Sequence, residues 1–229
     1  MSEYTISSVP AWDQSTLSQV DRLLLREGIT RDANLDYVAA MTDENGEVIA
    51  TGSCFGQTLR CFAVSSEHQG EGLLNQIISH LMEVQLARGN SHLFLYTKIQ
   101  TARFFESLGF YEIARVNGKL VFMENRRNGF SGYLKALEKS ARPGLSAAIV
   151  MNANPFTLGH QYLVETAAGR CDTLHLFVLS EEASLVPFSV RKELVRLGTR
   201  HIPNVVLHYS GPYMISGATF PSYFLKEEA

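Results

Sequence analysis

Two kinds of segment are absent from this 229-residue sequence. Met1-Ser2-Glu3-Tyr4 has no basic stretch leading into an apolar core, and no run of about 18 or more apolar residues occurs. The first absence argues against export and the second against a membrane-spanning helix, so a cytoplasmic protein with no membrane partner is expected. Cysteine is scarce as well. Cys54, Cys61 and Cys171 form neither a C-x-x-C pair nor a paired framework, and they read as reduced, mostly buried thiols. Metal-ligand spacing is missing: His175, His201 and His208 make no H-x-x-x-H or similar pattern, so no protein-held metal is expected. Nor does one sign of charge dominate. Twenty Lys+Arg against 23 Asp+Glu give a net charge of −3, with no general pull toward nucleic acid, which is not expected as a partner. With 45% hydrophobic and 19% charged residues, the chain is globular and long enough for one large domain or two small ones.

The most informative stretch that is present runs from Leu145 to His160. Leu145 to Met151 is a short apolar segment, Asn152-Ala153-Asn154-Pro155-Phe156 a turn, and Thr157-Leu158-Gly159-His160 the opening of a helix. A buried strand that delivers a Gly and a His to a helix N-terminus builds an anion site from unpaired backbone N–H groups and the positive end of the helix dipole. A phosphate chain is the natural ligand. The spacing resembles the (His/Thr)-x-Gly-His signature of the nucleotidyltransferase superfamily, whose members attack the α-phosphate of a nucleoside triphosphate and release pyrophosphate. The resemblance implies catalytic roles for His160 and Thr157 and nucleotide contacts from Asn154, Phe156, Gly159 and His160. Such catalysis is mostly positioning and charge stabilisation at phosphorus, and a His donating to a non-bridging oxygen suits it. Gly159 lets the backbone approach the nucleotide. The Thr157 hydroxyl has two readings: it touches phosphate, or it caps the helix.

Two breakers divide the chain: Glu124-Asn125-Arg126-Arg127-Asn128-Gly129 and Ala141-Arg142-Pro143-Gly144. They predict a first domain over 1–125, a linker over 126–144 with a short helix from Phe130 to Leu137, and a second domain over 145–229.

In the first domain, Leu17, Val20, Leu23 and Leu24 mark a helix from about Ser15 to Glu27, stopped by Gly28. Tyr37–Met41 and Val48–Cys54 read as strands around the hairpin cue Asn45-Gly46, and Leu59–Val64 is a third. After Ser65-Ser66-Glu67-His68-Gln69-Gly70-Glu71-Gly72 the period changes: Leu74, Ile77, Ile78, Leu81 and Met82 trace a helix face. The strand Leu93–Tyr96 and a short helix from Ala102, ending on Gly109, follow. This order resembles the GCN5-related N-acetyltransferase fold, in which a Gly-x-Gly loop opening a helix holds the pyrophosphate of coenzyme A. The resemblance implies that Gly70, Gly72 and Leu73 bind a coenzyme-A-like arm. Two residues depart from it. Glu67 stands three before the first Gly, where the family has Gln or Arg, and its carboxylate is expected to oppose a pyrophosphate. Phe105 stands where many members place a proton-donating Tyr. An inactive scaffold, an arm-binding module and a working acetyltransferase all stay open for this domain.

The second domain alternates strand and helix: Leu145–Val150, a helix from about Leu158 to Gly169, Thr173–Leu179, a helix from about Val190 to Thr199, and Val205–His208. Alternation predicts right-handed βαβ units in a parallel sheet with ligands at the carboxyl ends of the strands. The expected fold class is thus α/β: an acetyltransferase-like α+β domain followed by an incomplete Rossmann-like nucleotidyltransferase domain. Arg191 is a candidate nucleotide contact, as is Lys192, although charges on an amphipathic helix are commonly just solvated. The superfamily's later Ser-rich turn with its triphosphate-gripping Arg is not found. Ile215-Ser216-Gly217-Ala218-Thr219 suggests it without the Arg, and a C-terminally shortened form is expected.

The pairing of these two domains, together with Asn154 to His160 and the segment from Tyr213 to Phe224, resembles the citrate lyase ligase family along the whole chain. The resemblance implies an acid-thiol ligase that forms AMP: acetate attacks ATP, pyrophosphate leaves, and acetyl-adenylate acetylates the thiol of a dephospho-coenzyme-A-derived arm on the citrate lyase acyl carrier subunit. Magnesium (Mg2+) screens the triphosphate. Other readings are an adenylyltransferase with a phosphate acceptor such as phosphopantetheine or nicotinamide mononucleotide, an N-acetyltransferase, and a non-catalytic nucleotide-binding module.

Overall fold

A computed structural model describes residues 4–182, 184–216 and 219. The chain divides between Arg127 and Asn128 into two compact units.

The N-terminal unit is built on a seven-stranded sheet. Its elements are β1 (Thr5–Ser8), α1 (Gln14–Arg26), β2 (Tyr37–Thr42), β3 (Val48–Phe55), β4 (Thr58–Val64), α2 (Leu73–Ala87), β5 (Phe94–Thr97), α3 (Ala102–Ser107), β6 (Tyr111–Val116) and β7 (Leu120–Glu124). The strand order is β1-β2-β3-β4-β5-β7-β6, antiparallel except where β4 meets β5. Alternation along β2 sends Ala39 and Met41 to one face and Val38 and Ala40 to the other. The first face packs on Leu73, Ile77, Ile78 and Leu81 of α2 and Phe105 of α3, the second on Leu17, Val20, Leu23 and Leu24 of α1. Each such fully buried side chain contributes about 1.5–3 kcal/mol. Helix α1 begins where the Asp13 carboxylate accepts the Thr16 N–H at 3.1 Å and ends before Gly28, whose φ of 69° suits glycine.

The parallel contact between β4 and β5 is short, two residue pairs (Thr58 with Phe94 and Leu59 with Leu95). Beyond Leu59 the strands part. A register shift in the β3–β4 pairing and a φ of 52° at Cys61 accompany the departure, as expected for a bulge that turns a strand aside.

The C-terminal unit contains α4 (Gly129–Glu138), β8 (Ser146–Met151), α5 (Leu158–Ala168), β9 (Thr173–Val178), α6 (Phe188–Thr199) and β10 (Val205–Tyr209). Its described strands form a parallel sheet in the order β10-β9-β8, in register so that Met151, Val178 and Tyr209 end level with one another. Both crossover helices pack on one face of it, around Met151, Val164, Ala168, Leu174, Leu176, Val178 and Val195. On the other face His175 and His208 share a hydrogen bond of 2.9 Å, and Phe177 stacks on His208.

The strands and helices read from sequence are present with ends displaced by a few residues. Strands β1, β6 and β7 were not anticipated. The short helix expected within 126–144 is α4, which falls in the C-terminal unit. Of the segment from Tyr213 to Phe224, residues 217, 218 and 220–224 lie outside the described residues. Among those described, no helix is long and apolar enough to cross a membrane.

Candidate active site

In the C-terminal unit, the loops following β8, β9 and β10 are tied together by side chains. Asn154 Oδ1 accepts the Val186 N–H at 2.8 Å, and the Asn152 amide exchanges hydrogen bonds with Ser184 Oγ at 2.9 and 3.0 Å. Ser210 Oγ accepts the Ser180 N–H at 2.9 Å, while Ser180 Oγ accepts the Gly211 N–H at 3.0 Å. The third tie is Arg191, whose side chain is fully buried. Its guanidinium donates to the carbonyl oxygens of Asn152 (2.9 Å), Leu179 (2.7 Å), Glu181 (2.6 Å) and Val186 (2.9 Å), and to Asn152 Oδ1 (3.0 Å).

This corrects the expectation that Arg191 touches nucleotide. It shares a stripe of α6 with Val195 and Thr199, at i, i+4 and i+8, and so points inward and spends its donors on backbone carbonyls. Burial lowers its pKa from the ordinary arginine value, with Glu182 acting in the opposite direction. Lys192, the next residue, is exposed, with its ammonium 4.5 Å from the Tyr209 ring centroid.

Framed by these loops, α5 opens at Thr157. The Thr157 N–H donates to His160 Nδ1 at 3.1 Å, and Thr157 Oγ1 lies 2.8 Å from the same nitrogen. The two residues form a capping box in which His160 fills the place usually held by Glu or Gln. A backbone N–H only donates, so Nδ1 accepts and the neutral imidazole carries its proton on Nε2. The Phe156 ring stacks on the imidazole, centroids 5.6 Å apart and planes inclined by 25°. Gly159 follows the cap. A Cβ added there would meet only Thr157 Oγ1, at 3.7 Å, so packing does not require the glycine. Ala153 holds a left-handed φ of 51° while 2% exposed, and that conformation carries roughly 1–2 kcal/mol of strain for a residue with a Cβ. The sequence-predicted Asn154, Phe156, Thr157, Gly159 and His160 therefore gather at one helix entrance. Thr157 caps that helix.

In the N-terminal unit, the gap where β4 leaves β5 is a cavity of about 760 Å³. Phe62, Ala63, Val64, Leu74, Phe104 and Phe105 give it apolar walls, and Gly70, Gly72, Leu73 and Asn75 form its rim at the start of α2. Gly70 and Gly72 hold φ values of 90° and 77°, and Gly72 is the N-cap residue, with no side chain to occupy the first N–H groups of the helix. The loop is fastened from outside: the Tyr4 hydroxyl donates to Glu71 at 3.0 Å and His68 pairs with Glu71 at 3.1 Å. Glu67 is exposed and does not line the cavity. Phe105 is 2% exposed and packs edge-on against Phe104 and Phe110. It has no proton to give.

Comparison with known proteins matches residues 146–229 to the family described as citrate lyase ligase C-terminal domain, and residues 3–110 to the acetyltransferase (GNAT) family. The chain is 40% identical over 217 residues to the [citrate [pro-3S]-lyase] ligase of Klebsiella pneumoniae, covering 94% of this chain and 63% of that protein. It is 36% identical over 218 residues to the [citrate [pro-3S]-lyase] ligase of Escherichia coli (strain K12), covering 95% and 62% respectively. The chain thus spans somewhat less than two thirds of the length of these relatives. Among solved structures, Escherichia coli ElaA covers 54% of this chain and all of its own, with a TM-score of 0.47 and 14% identity. The N-terminal unit has the acetyltransferase-type fold, and the C-terminal unit adds a parallel α/β domain to it.

Proposed function

We propose, from the premise that this chain is a homologue of the citrate lyase ligases, that it takes part in the ATP-dependent acetylation of citrate lyase. In this reading a carboxylate oxygen of acetate attacks the α-phosphorus of ATP at the His160 site. A new P–O bond forms, the bond to the bridging oxygen breaks, and pyrophosphate departs. The thiol of a dephospho-coenzyme-A-derived arm on the acyl carrier subunit then attacks the acetyl carbon. The C–S bond forms, AMP leaves, and the thiol proton passes to solvent.

The tautomer of His160 carries this reading. With Nδ1 occupied by the Thr157 N–H, a neutral imidazole offers an Nε2–H to a phosphate oxygen. Beside it the first N–H groups of α5, at Leu158 and Gly159, face no helical carbonyl. Donors fixed before the nucleotide arrives stabilise charge growing on the α-phosphate without reorganising, which is where most of the acceleration of such transfers originates. Arg191 acts at one remove by holding the loops that follow β8 and β9. Among the described residues no group of three or more His, Cys, Asp or Glu stands together, so magnesium is taken to ride on the triphosphate oxygens, a usual mode for this small, reluctantly dehydrated ion.

The cavity of the N-terminal unit is assigned to the thiol-bearing arm, with Gly70, Gly72 and Leu73 at its pyrophosphate and the apolar walls along its pantetheine portion. Phe105 supports arm binding over acetyl transfer to an amine, since it supplies no acid.

The test is exchange of labelled pyrophosphate into ATP by the chain, with and without acetate, and by His160→Ala. Acetate-dependent exchange that the substitution lowers by two orders of magnitude or more is expected. Exchange that requires an added phosphate acceptor such as phosphopantetheine in place of acetate would point instead to an adenylyltransferase, and exchange untouched by His160→Ala would remove the assigned role.

A further inference from the structure

We propose that Gly198 is a positioning residue for His160, acting through the ring of Phe156. This rests on the catalytic reading of His160 given above. Gly198 lies in the third turn of α6 with no left-handed φ, a place where the backbone does not ask for glycine and where glycine is among the weakest helix formers. What demands it is space. A Cβ added to Gly198 would overlap Phe156 Cε1 and stand 2.9 Å from Cδ1 and 3.5 Å from Cζ, so the ring rests directly on the α6 backbone.

The same ring stacks on the His160 imidazole, with 5.6 Å between centroids. The hydrogen bond from the Thr157 N–H fixes one atom of the imidazole, Nδ1. One fixed atom leaves the ring free to swing, and the stack removes that freedom by setting its plane. Together they fix the direction of Nε2–H, the atom assigned to the phosphate. Phe156 and Thr157 are neighbours in the chain, so a displaced Phe156 ring disturbs the imidazole through both routes. The glycine notch on α6 thus transmits the position of one helix to the reactive group at the entrance of another. Misplacement of a catalytic group by about 1 Å is enough to lower a rate by orders of magnitude.

The test labels the histidines of the full chain with 15N and reads imidazole nitrogen signals by NMR, His160 being assigned by their loss in His160→Gln. The wild type is expected to show the Nε2–H tautomer. Gly198→Ala is expected to give mixed tautomers at His160 and to lower kcat of acetate-dependent exchange at least about tenfold, with KM for ATP within about twofold. In a Phe156→Leu background the same substitution is expected to add nothing further to either readout, since the ring that transmits it is gone. Equal effects of Gly198→Ala in both backgrounds, or an unchanged His160 tautomer in a folded Gly198→Ala chain, would overturn the proposal. If Gly198→Ala does not fold, restoration of folding by Phe156→Leu supports the contact, and Phe156→Leu alone then decides: an unchanged His160 tautomer overturns the transmission. Failure of the functional reading looks different, because exchange would then survive His160→Gln while the tautomer still answered to Gly198.

Discussion

The two units treat polar groups in opposite ways. The N-terminal unit draws its strands apart and lines much of the gap with apolar side chains such as Phe62, Val64, Phe104 and Phe105. The C-terminal unit keeps its strands in register to their ends and crowds the loops beyond them with amides, hydroxyls, an imidazole and a buried guanidinium. An apolar slot selects a ligand by length and shape and excludes water. A preorganised cluster of donors selects by charge and can stabilise a transition state. The contrast separates holding from reacting, and each half of it can be attacked alone.

The largest effect is expected from Arg191→Met. Removing the guanidinium strands several buried carbonyls, each unpaired group costing about 1–3 kcal/mol, so the C-terminal unit is expected to lose roughly 3 kcal/mol or more, and exchange with it. Hydrogen exchange resolved by residue is expected to show the N-terminal unit unmoved, and equal loosening of both units would break the comparison. His160→Ala comes next: exchange falls by about 10²–10³, as for removal of one preorganised donor, while the lost capping hydrogen bond lowers the melting temperature of the C-terminal unit by only a few degrees. Gly72→Ala tests the other half. A methyl group at φ 77° costs about 1–2 kcal/mol in strain, and with nothing within 4 Å it stands in the space at the rim of the cavity. Acetylation of the carrier thiol is expected to weaken severalfold while pyrophosphate exchange stays intact, so a fall in exchange would contradict the separation.

The smallest effect is a pH dependence. Burial, and then the charge of His175, hold His208 below the ordinary imidazole range. An unfolded chain therefore takes up its proton first, near pH 6.5, and the contribution of this pair to stability is complete above that pH and is lost as pH falls toward the lower folded value. Denaturant unfolding followed between pH 7 and pH 5 is expected to show a slope in the C-terminal unit that His208→Gln flattens. A slope unchanged by His208→Gln would place the titrating group elsewhere.

Legibility in the sequence also differed between the units. Elements of the C-terminal unit were readable because its strands are short apolar runs separated by helical patterns, although only β9 is buried along most of its length. The hairpin of β6 and β7 was missed although Asn117-Gly118, with Gly118 at a φ of 72°, is the same cue read correctly at Asn45-Gly46. What hid it is β6 itself, an edge strand with little buried surface whose residues Glu112 and Arg115 interrupt any apolar alternation. β1 is likewise a four-residue edge strand, mostly exposed. At the site, the helix entrance from Thr157 to His160 was legible because it is local. The burial of Arg191 was not legible because it depends on carbonyls from two separate loops, though its shared stripe with Val195 and Thr199 was there to be counted. The ties through Ser180, Ser184 and Ser210 span 30 or more residues and leave no spacing to read.

Gly159 has a thermodynamic consequence. Alanine would fit there without contact closer than Thr157 Oγ1, and glycine within a helix forgoes about 0.5–1 kcal/mol relative to alanine. The unliganded chain thus forgoes some stability at this position, and on the reading proposed above the missing methyl group leaves room for the nucleotide. Linkage returns the difference: a ligand that binds only the folded state, at 100 times its Kd, adds about 2.7 kcal/mol, more than the glycine gives up. On that reading the chain is most stable when occupied.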